Sequence, residues 1–258
     1  MSTFLRDPQR LMPWFIALAV VVHISLQILS FGLDVSENSI VASLIYLVAG
    51  FLFFLVAAYW LEQGVQNASR QYLLMGLGMT ALFVTLALVG LGLLGTFGPV
   101  KGKLLNTGLF LLLIGAGTAG VFWIASPSTR KLTSGKQKIV LALVFFILFV
   151  SGLSALQNVL PNLYAGYGLP SLLRQQLVTI VLILFTLGAV RFALSEWGKE
   201  TFSGQWFLIG IMMISLTFLN LLLSTMPGDI YSWAGRLLLI LSAGAFIQSV
   251  WWHDRAVV

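Results

Sequence analysis

The chain contains no cysteine and only two histidines, His23 and His253. The lack of thiols excludes disulfide bonds, thiolate nucleophiles and cysteine metal sites. Because the two histidines lie at opposite ends of the sequence, we also predict no histidine metal centre. These absences leave few of the side chains from which metal or redox sites are usually built.

Charged residues are also scarce, at 9% of the 258 residues against 59% hydrophobic. A soluble domain carries roughly a quarter charged residues, so these charges are too few to cover a water-exposed surface of this size. We therefore expect membrane lipid to surround much of the protein. The net charge of +6 comes from basic residues in short loops, which fix orientation in a membrane, and we predict no binding of nucleic acid.

Eight apolar runs are each long enough to cross a bilayer, which takes about 20 residues. Short joints with turn-forming residues separate the runs, and none is long enough for a soluble domain. The sequence therefore predicts an all-α, polytopic transmembrane helix bundle of about eight spans, forming one integral membrane domain over residues 1–258. The predicted spans are 11–32, 40–61, 71–95, 104–125, 138–159, 174–194, 205–226 and 234–252.

Lysine and arginine are distributed unevenly between the two sides of the predicted bundle. Ten lie on the side that holds both termini and four on the other side. Cytoplasmic loops carry the excess of basic residues in most membrane proteins. We therefore predict a multi-pass protein of the cell (inner) membrane with both termini in the cytoplasm.

No Asp, Glu or Lys lies near the middle of a predicted span. Ion-driven pumps usually need such a residue, so the pattern argues against a pump and leaves a neutral facilitator open. No paired acids, nucleophile–base pair or metal pattern lies in one plane, so we expect no enzymatic activity. Asp229 and Arg236 lie seven residues apart at the start of the last span. They either pair with each other or hold a charged group of a ligand, and we favour the pairing.

Uncharged polar residues concentrate in the outer halves of the spans. Amide side chains that face lipid are costly, so we expect most of them to point into the bundle. Each one alone is explained by a hydrogen bond to a neighbouring helix. As a group they also suit a pocket open to the outer side, because ligand sites combine apolar walls with a few convergent polar groups. The candidate ligand-binding residues are Gln27, Tyr46, Asn106, Gln157, Asn158, Gln175, Gln176, Asn220, Asp229, Trp233 and Arg236.

His23 falls near the middle of the first predicted span. It is either a heme ligand or a neutral histidine bonded inside the bundle, and we favour the second because a membrane b-type heme usually needs two axial histidines at similar depth. His253 lies instead at the cytoplasmic edge of the last span. We therefore predict no cofactor. Glycine pairs such as Gly76 with Gly78 lie inside apolar helices, where they indicate close helix packing rather than a phosphate-binding loop.

Three short motifs between about Leu104 and Trp252 resemble a known family. They are Asn106-Thr107-Gly108, the loop from Leu160 to Leu169, and the turn from Gly228 to Arg236. In this order they resemble the bacterial and archaeal membrane-associated sensor domains of the third MASE type. The chain departs from that family in two places: the family usually has a histidine where Arg236 stands, and its Asp-x-x-His pattern in the third span is missing between Thr85 and Gly95.

The resemblance implies a sensory input domain. A small molecule or lipid would bind in the outer-half pocket, and the signal would leave through the last span to a cytoplasmic output domain or partner protein. Because that span ends six residues before Val258, we expect the output either in a longer chain or on a partner. The alternatives are a facilitator or transporter of a neutral or lipidic solute and an accessory subunit of a larger membrane complex, and a homodimer is also open.

Overall fold

The computed structural model describes Val21 and residues 38–94, 102–127, 162–164, 170–225 and 228–257. Within these ranges every regular element is a helix, and strand-like pairing is limited to an isolated bridge between Tyr164 and Pro170. The helices are α1 (Ser39–Gln66), α2 (Arg70–Leu94), α3 (Gly102–Ala125), α4 (Leu172–Leu194), α5 (Glu196–Glu200), α6 (Phe202–Leu223) and α7 (Ile230–Val257).

Six of these helices, all except α5, are long and apolar enough to cross a membrane. Each one coincides with a predicted span, so the prediction of a multi-pass helical membrane protein is confirmed for this part of the chain. Apart from Val21, the predicted spans 11–32 and 138–159 lie outside the described residues, and the count of eight stays a prediction. The joint expected between residues 195 and 204 contains α5, because Ser195 caps that short helix with a hydrogen bond of 3.0 Å from the Gly198 N–H.

Polar side chains fix where several helices begin. Asn38 accepts from the Val41 N–H at 3.1 Å, Ser171 from the Arg174 N–H at 3.2 Å and Thr201 from the Gly204 N–H at 2.9 Å. Such caps satisfy N–H groups that have no partner inside the helix. This matters in lipid, where an unsatisfied backbone group is especially costly.

The six long helices form a closed ring in the order α1, α2, α3, α4, α6, α7, with α7 packed again on α1. The α2 helix is buried along most of its length. Aromatic side chains fill the centre: the Trp123 ring lies 5.6 Å from Phe207 and 5.4 Å from Phe246, measured between ring centroids. The ring closure brings the first and last described helices together, which places residues from distant parts of the sequence in common clusters.

Glycines let the helices approach closely, as the sequence predicts. A Cβ atom at Gly76 would lie 2.7 Å from the backbone nitrogen of Leu61, and one at Gly78 would lie 2.8 Å from Cδ1 of the Trp123 indole. Real Cβ atoms are essentially never found so close to another atom. Both glycines are therefore required for packing on their neighbours.

Candidate ligand site at the Arg236 end of the bundle

Polar and aromatic side chains gather at both ends of the helix ring. At one end, α1, α3, α4 and α7 begin, and α2 and α6 finish; we call it the Arg236 end. At the other, α1 and α7 finish and α2 and α6 begin; we call it the His253 end. The outer-half candidates predicted from the sequence belong to the first.

Arg236, on the second turn of α7, is the central side chain of the first cluster and is only 6% exposed. Its guanidinium carbon lies 4.6 Å from the centroid of the Trp233 ring and 5.6 Å from that of Tyr46. Its Nε donates a hydrogen bond to the Tyr46 hydroxyl at 3.3 Å. Trp233 precedes Arg236 by three residues and so shares its helix face. Three of the predicted site residues therefore come together, with the cation held between two aromatic rings.

A cavity of about 100 Å³ adjoins Arg236. A second one of about 30 Å³ shares five of its lining residues, among them Tyr46, Leu221 and Arg236. The polar residues that line the larger cavity are Tyr46, Thr107, Tyr164, Ser232 and Arg236, and its other lining residues are glycine or aliphatic. An apolar cavity of about 150 Å³ accommodates a benzene ring, so the two cavities together suit a small group with one polar end.

Arg174 is a second buried arginine beside this cavity and is 2% exposed. Its Nη2 donates to the carbonyl oxygen of Leu221 at 2.9 Å, and its guanidinium carbon lies 5.0 Å from the Tyr164 ring centroid. Its Nε and Nη1 are buried and have no hydrogen-bond partner in the part of the chain that the structure describes. In the sequence, Arg174 is one of the four basic residues on the side opposite the termini, and it is not among the candidate ligand-binding residues. The signal that could have found it is its place in the first turn of α4, because the positive end of a helix dipole disfavours a cation.

Asn106 and Asn220, two of the predicted ligand-binding residues, form hydrogen bonds with other parts of the protein. Asn106 accepts from the Leu163 N–H at 2.6 Å, which ties the segment 162–164 to α3. Asn220 is fully buried, and its Nδ2 donates to the Leu216 carbonyl on its own helix at 3.0 Å. Its Oδ1 has no hydrogen-bond partner within the described ranges. Neither residue lines the cavity beside Arg236, so their hydrogen bonds hold the segments around the cavity and do not contact a ligand in it.

Asp229 caps α7. Its Oδ1 accepts from the Ser232 N–H and its Oδ2 from the Thr225 N–H, each at 2.8 Å. A carboxylate at this position also suits the positive end of the helix dipole. The cap holds the start of α7, and hence Trp233 and Arg236, against the end of α6; the favoured pairing of Asp229 with Arg236 stays a prediction.

Gln175 and Gln176 do not join the cluster, although we expected most of the polar residues to point inward. Both are exposed on α4. The buried face of that helix is occupied by Arg174, Val178 and Val181, and residues one and two positions after Arg174 are rotated away from it by the helix period. The remaining candidates, Gln27, Gln157 and Asn158, lie outside the described residues, as does His23.

The His253 end contains a second cluster that the sequence analysis missed. His253 is 8% exposed; its Nδ1 lies 2.8 Å from the Tyr59 hydroxyl and its Nε2 lies 3.1 Å from the Tyr72 hydroxyl. The fully buried Trp60 ring meets the imidazole edge to face at 4.9 Å. A neutral imidazole donates from one nitrogen and accepts at the other, so one tyrosine accepts while the other donates. The last turns of α7 are thereby joined to both α1 and α2.

Simple helix–helix hydrogen bonding, the other reading of the polar residues, occurs close to this cluster. The Ser203 hydroxyl donates to the Ser249 carbonyl at 2.8 Å, and the Ser249 hydroxyl donates to the Ser203 carbonyl at 2.7 Å. This reciprocal pair joins α6 to α7 and is of the kind that small polar residues form between membrane helices. It offers no group for a ligand.

An apolar groove of about 380 Å³ runs between α3 and α4. Its lining includes Phe110, Gly117 and Ile180, and its one hydroxyl, on Thr118, already donates to the Ile114 carbonyl at 2.8 Å. The groove therefore suits hydrocarbon and has no side chain that would select a polar ligand. We regard the cavity beside Arg236 as the candidate ligand site.

Comparison of the chain with protein-family models, with curated proteins and with solved structures finds no match. The resemblance to the sensor family therefore stays a prediction. What can be inferred about function comes from the geometry of the two clusters and from the helices that join them.

Proposed function

We propose that this protein is an integral membrane sensory input domain, which binds a small molecule or lipid in the cavity beside Arg236 and signals to a cytoplasmic output domain or partner protein. One observation carries the proposal: α1 and α7 are bonded to each other at both ends. Tyr46 and Arg236 join them beside the cavity, and Tyr59 and His253 join them at the far end.

The two contacts are far apart along continuous helices. Arg236 and His253 are 17 residues apart in α7, which corresponds to about 26 Å at 1.5 Å per residue. Tyr46 and Tyr59 are 13 residues apart in α1, or about 20 Å. A rigid helix that shifts or rotates at one end also moves at the other. A ligand that separates Arg236 from Tyr46 would therefore disturb the hydrogen bonds of His253.

A ligand in the cavity would separate Arg236 from Tyr46 by competition. A ligand group that bonds to the Arg236 guanidinium competes with Tyr46 and Trp233 for the same cation. A ligand shifts an equilibrium between two packings only by its difference in affinity for them. In the ligand-free packing, Arg236 stays on the Tyr46 and Trp233 rings. The packing in which Arg236 turns toward the cavity would bind the ligand more tightly.

We further propose eight spans in the cell (inner) membrane, with both termini and the His253 end on the cytoplasmic side. The support is the excess of lysine and arginine on that side. The cavity then faces the outer half of the membrane, and the end of α7 faces the compartment where an output domain or partner protein works. Binding outside and a movement inside are what a sensor requires.

The proposal is tested by measuring a distance at the His253 end while a ligand is offered at the other. Because the chain has no cysteine, spin labels can be attached to Glu62→Cys and Asp254→Cys, two exposed positions near the ends of α1 and α7. We expect the distance between the two labels in proteoliposomes to change when an organic extract is added. The extract is prepared from the membranes of the cells that produce the protein. The same labelled protein with Arg236→Gln should show no shift.

A flux measurement in the same proteoliposomes separates the alternatives. A sensor binds a component of the extract without carrying it across the bilayer, whereas a facilitator releases it into the vesicle interior. An accessory subunit would bind nothing from the extract and would co-purify with fixed partner chains. Flux, or binding that leaves the label–label distance unchanged, would contradict the sensory role.

A further inference from the structure

Arg174 is held in surroundings that disfavour a positive charge. It is 2% exposed and lies in the first turn of α4, at the positive end of the helix dipole. A guanidinium has five N–H donors. Here the Nη2 group donates to one backbone carbonyl, while the donors on Nε and Nη1 are buried without an acceptor among the described residues. Burying a charge is costly unless an opposite charge and further hydrogen bonds compensate it.

The compensating group is missing from the described protein. The Arg174 side chain contacts a carbonyl and an aromatic ring, and no carboxylate accepts a hydrogen bond from it in the part of the chain that the structure describes. Arg236, at the wall of the neighbouring cavity, adds a second positive charge. The buried charge of Arg174 is therefore the one that an anion would compensate at this end of the bundle.

Arg174 lies directly behind the cavity wall. The Tyr164 ring, which covers the guanidinium, and Leu221, whose carbonyl accepts from it, both line the cavity beside Arg236. Both of these residues are only half-buried, so they are the part of the wall that separates the cavity from the Arg174 guanidinium. The remaining walls, including Leu88, Val89 and Leu112, suit an apolar body.

We propose that the cavity takes an organic anion, with a carboxylate or phosphate group bound by Arg174 and a small apolar body against the aliphatic walls. This inference rests on the proposed function and names the class of ligand that the site would sense. Charged acceptors form the strongest hydrogen bonds with a guanidinium, and an anion at the start of α4 also meets the positive end of the helix dipole. The shared chemistry allows two sources, a soluble organic acid or the headgroup of an anionic lipid.

The test compares hexanoate with hexanamide, which has nearly the same shape and no charge, by calorimetry on the full chain in an uncharged detergent. We expect hexanoate to bind more tightly by about tenfold to a hundredfold, the ratio that corresponds to a hydrogen bond to a charged group. In Arg174→Gln the affinity for hexanoate should fall by a similar factor while that for hexanamide stays the same. Arg174→Lys should keep part of the preference.

Arg191→Gln is the matched control, because Arg191 belongs to the same helix and is exposed. It should leave both affinities unchanged. Without ligand, Arg174→Gln should melt no lower than the parent protein, since it removes a buried charge. If Arg174→Gln instead lowers the melting temperature and leaves hexanoate affinity intact, Arg174 is a structural residue and the inference is wrong.

Competition experiments then identify the source of the anion. Displacement of hexanoate by vesicles of phosphatidylglycerol but not phosphatidylcholine supports a lipid headgroup, whereas displacement by inorganic phosphate supports a soluble anion. Equal binding of hexanoate and hexanamide would overturn the anionic ligand while leaving a ligand-binding cavity in place. If neither probe binds and the membrane extract also fails to shift the label–label distance, the anionic ligand and the sensory role both fail.

Discussion

Tyr46 and Arg236 are 190 residues apart in the sequence, yet the Arg236 Nε donates a hydrogen bond to the Tyr46 hydroxyl at 3.3 Å. The contact closes the helix ring at the cavity, and Tyr59 with His253 closes it again at the far end at 2.8 Å. Each contact joins α1 to α7, so each is sensitive to a relative movement of these two helices. Substitutions at these contacts separate their role in stability from their role in ligand response.

Replacing Arg236 by glutamine should weaken ligand response more than folding. The substitution removes the stacking of the cation on Trp233 and Tyr46, which contributes about 0.5–2 kcal/mol to stability, and it also removes the charge at the cavity wall. We expect a small fall in melting temperature and loss of the ligand-induced stabilisation in thermal unfolding. A large fall in melting temperature with unchanged ligand affinity would assign Arg236 to structure alone.

Asn220 should tolerate an apolar side chain, because its buried Oδ1 has no hydrogen-bond partner among the residues described and its Nδ2 bonds within its own helix. Replacing it by leucine of similar size should change the free energy of unfolding by less than about 1 kcal/mol, since no interhelical partner is abandoned. Asn220→Asp should be clearly destabilising, because it buries a charge at the same place. Reversible unfolding in mixed micelles measures both, and a large loss for the leucine variant would show that the amide bonds something essential.

The His253 hydrogen bonds should contribute cooperatively to stability. In His253→Phe the ring packing on Trp60 remains, but the Tyr59 and Tyr72 hydroxyls lose their partner, so we expect a loss of about 1–3 kcal/mol. Tyr59→Phe alone should lower the free energy of unfolding by about 1 kcal/mol. The double variant Tyr59→Phe/His253→Phe should lose less stability than the two single variants added together. Tyr231→Phe is the control, since that hydroxyl has no hydrogen bond to any residue that the structure describes and its loss should be neutral. Strict additivity in the double-mutant cycle would show that the hydroxyl–imidazole contact contributes nothing.

The sequence predicted much of the Arg236 cluster and nothing of the His253 cluster, for physical reasons. The six apolar runs that became helices were visible because lipid permits only long uncharged segments. The sequence indicates Tyr46, Trp233 and Arg236 because each lies toward the outer side of a predicted span. Tyr59 and His253 are 194 residues apart, and no local pattern predicts that α7 packs on α1.

Helix rotation was the second piece of information missing from the sequence. Gln175 and Gln176 share the depth of Arg174 but lie on the exposed face of α4. In lipid the two faces of a helix are almost equally apolar, so hydropathy does not show which one is buried. The polar residues beside them were therefore assigned by depth alone, and Arg174, the buried one, was left out.

Two glycine substitutions test how tightly the centre of the helix ring is packed. A Cβ at Gly78 would press on the fully buried Trp123 indole, whose Nε1 donates to the Met75 carbonyl at 3.3 Å. We expect Gly78→Ala to destabilise the protein by about 1–3 kcal/mol, as overpacking does. At Gly244 no atom lies within 4 Å of the added Cβ, so Gly244→Ala should be neutral or stabilising by up to about 1 kcal/mol. Equal effects of the two substitutions in thermal unfolding would contradict the close packing of Gly78 on Trp123.

The orientation of the bundle can be decided with single cysteines, because the chain has none of its own. Asn162 is exposed in a non-helical segment at the Arg236 end, and Gln66 is exposed at the end of α1, at the His253 end. A membrane-impermeant maleimide should label Asn162→Cys in intact cells and should label Gln66→Cys only after the membrane is opened. The expected result follows from the excess of basic residues on the His253 side.

The reverse labelling pattern would have consequences beyond topology. It would place the cavity beside Arg236 toward the cytoplasm, so a ligand would have to come from inside the cell. The end of α7 would then face outward, where a cytoplasmic output domain or partner protein does not reach it. A sensor that receives outside and reports inside therefore depends on Asn162→Cys reacting first, and the labelling experiment can refute it before any ligand is known.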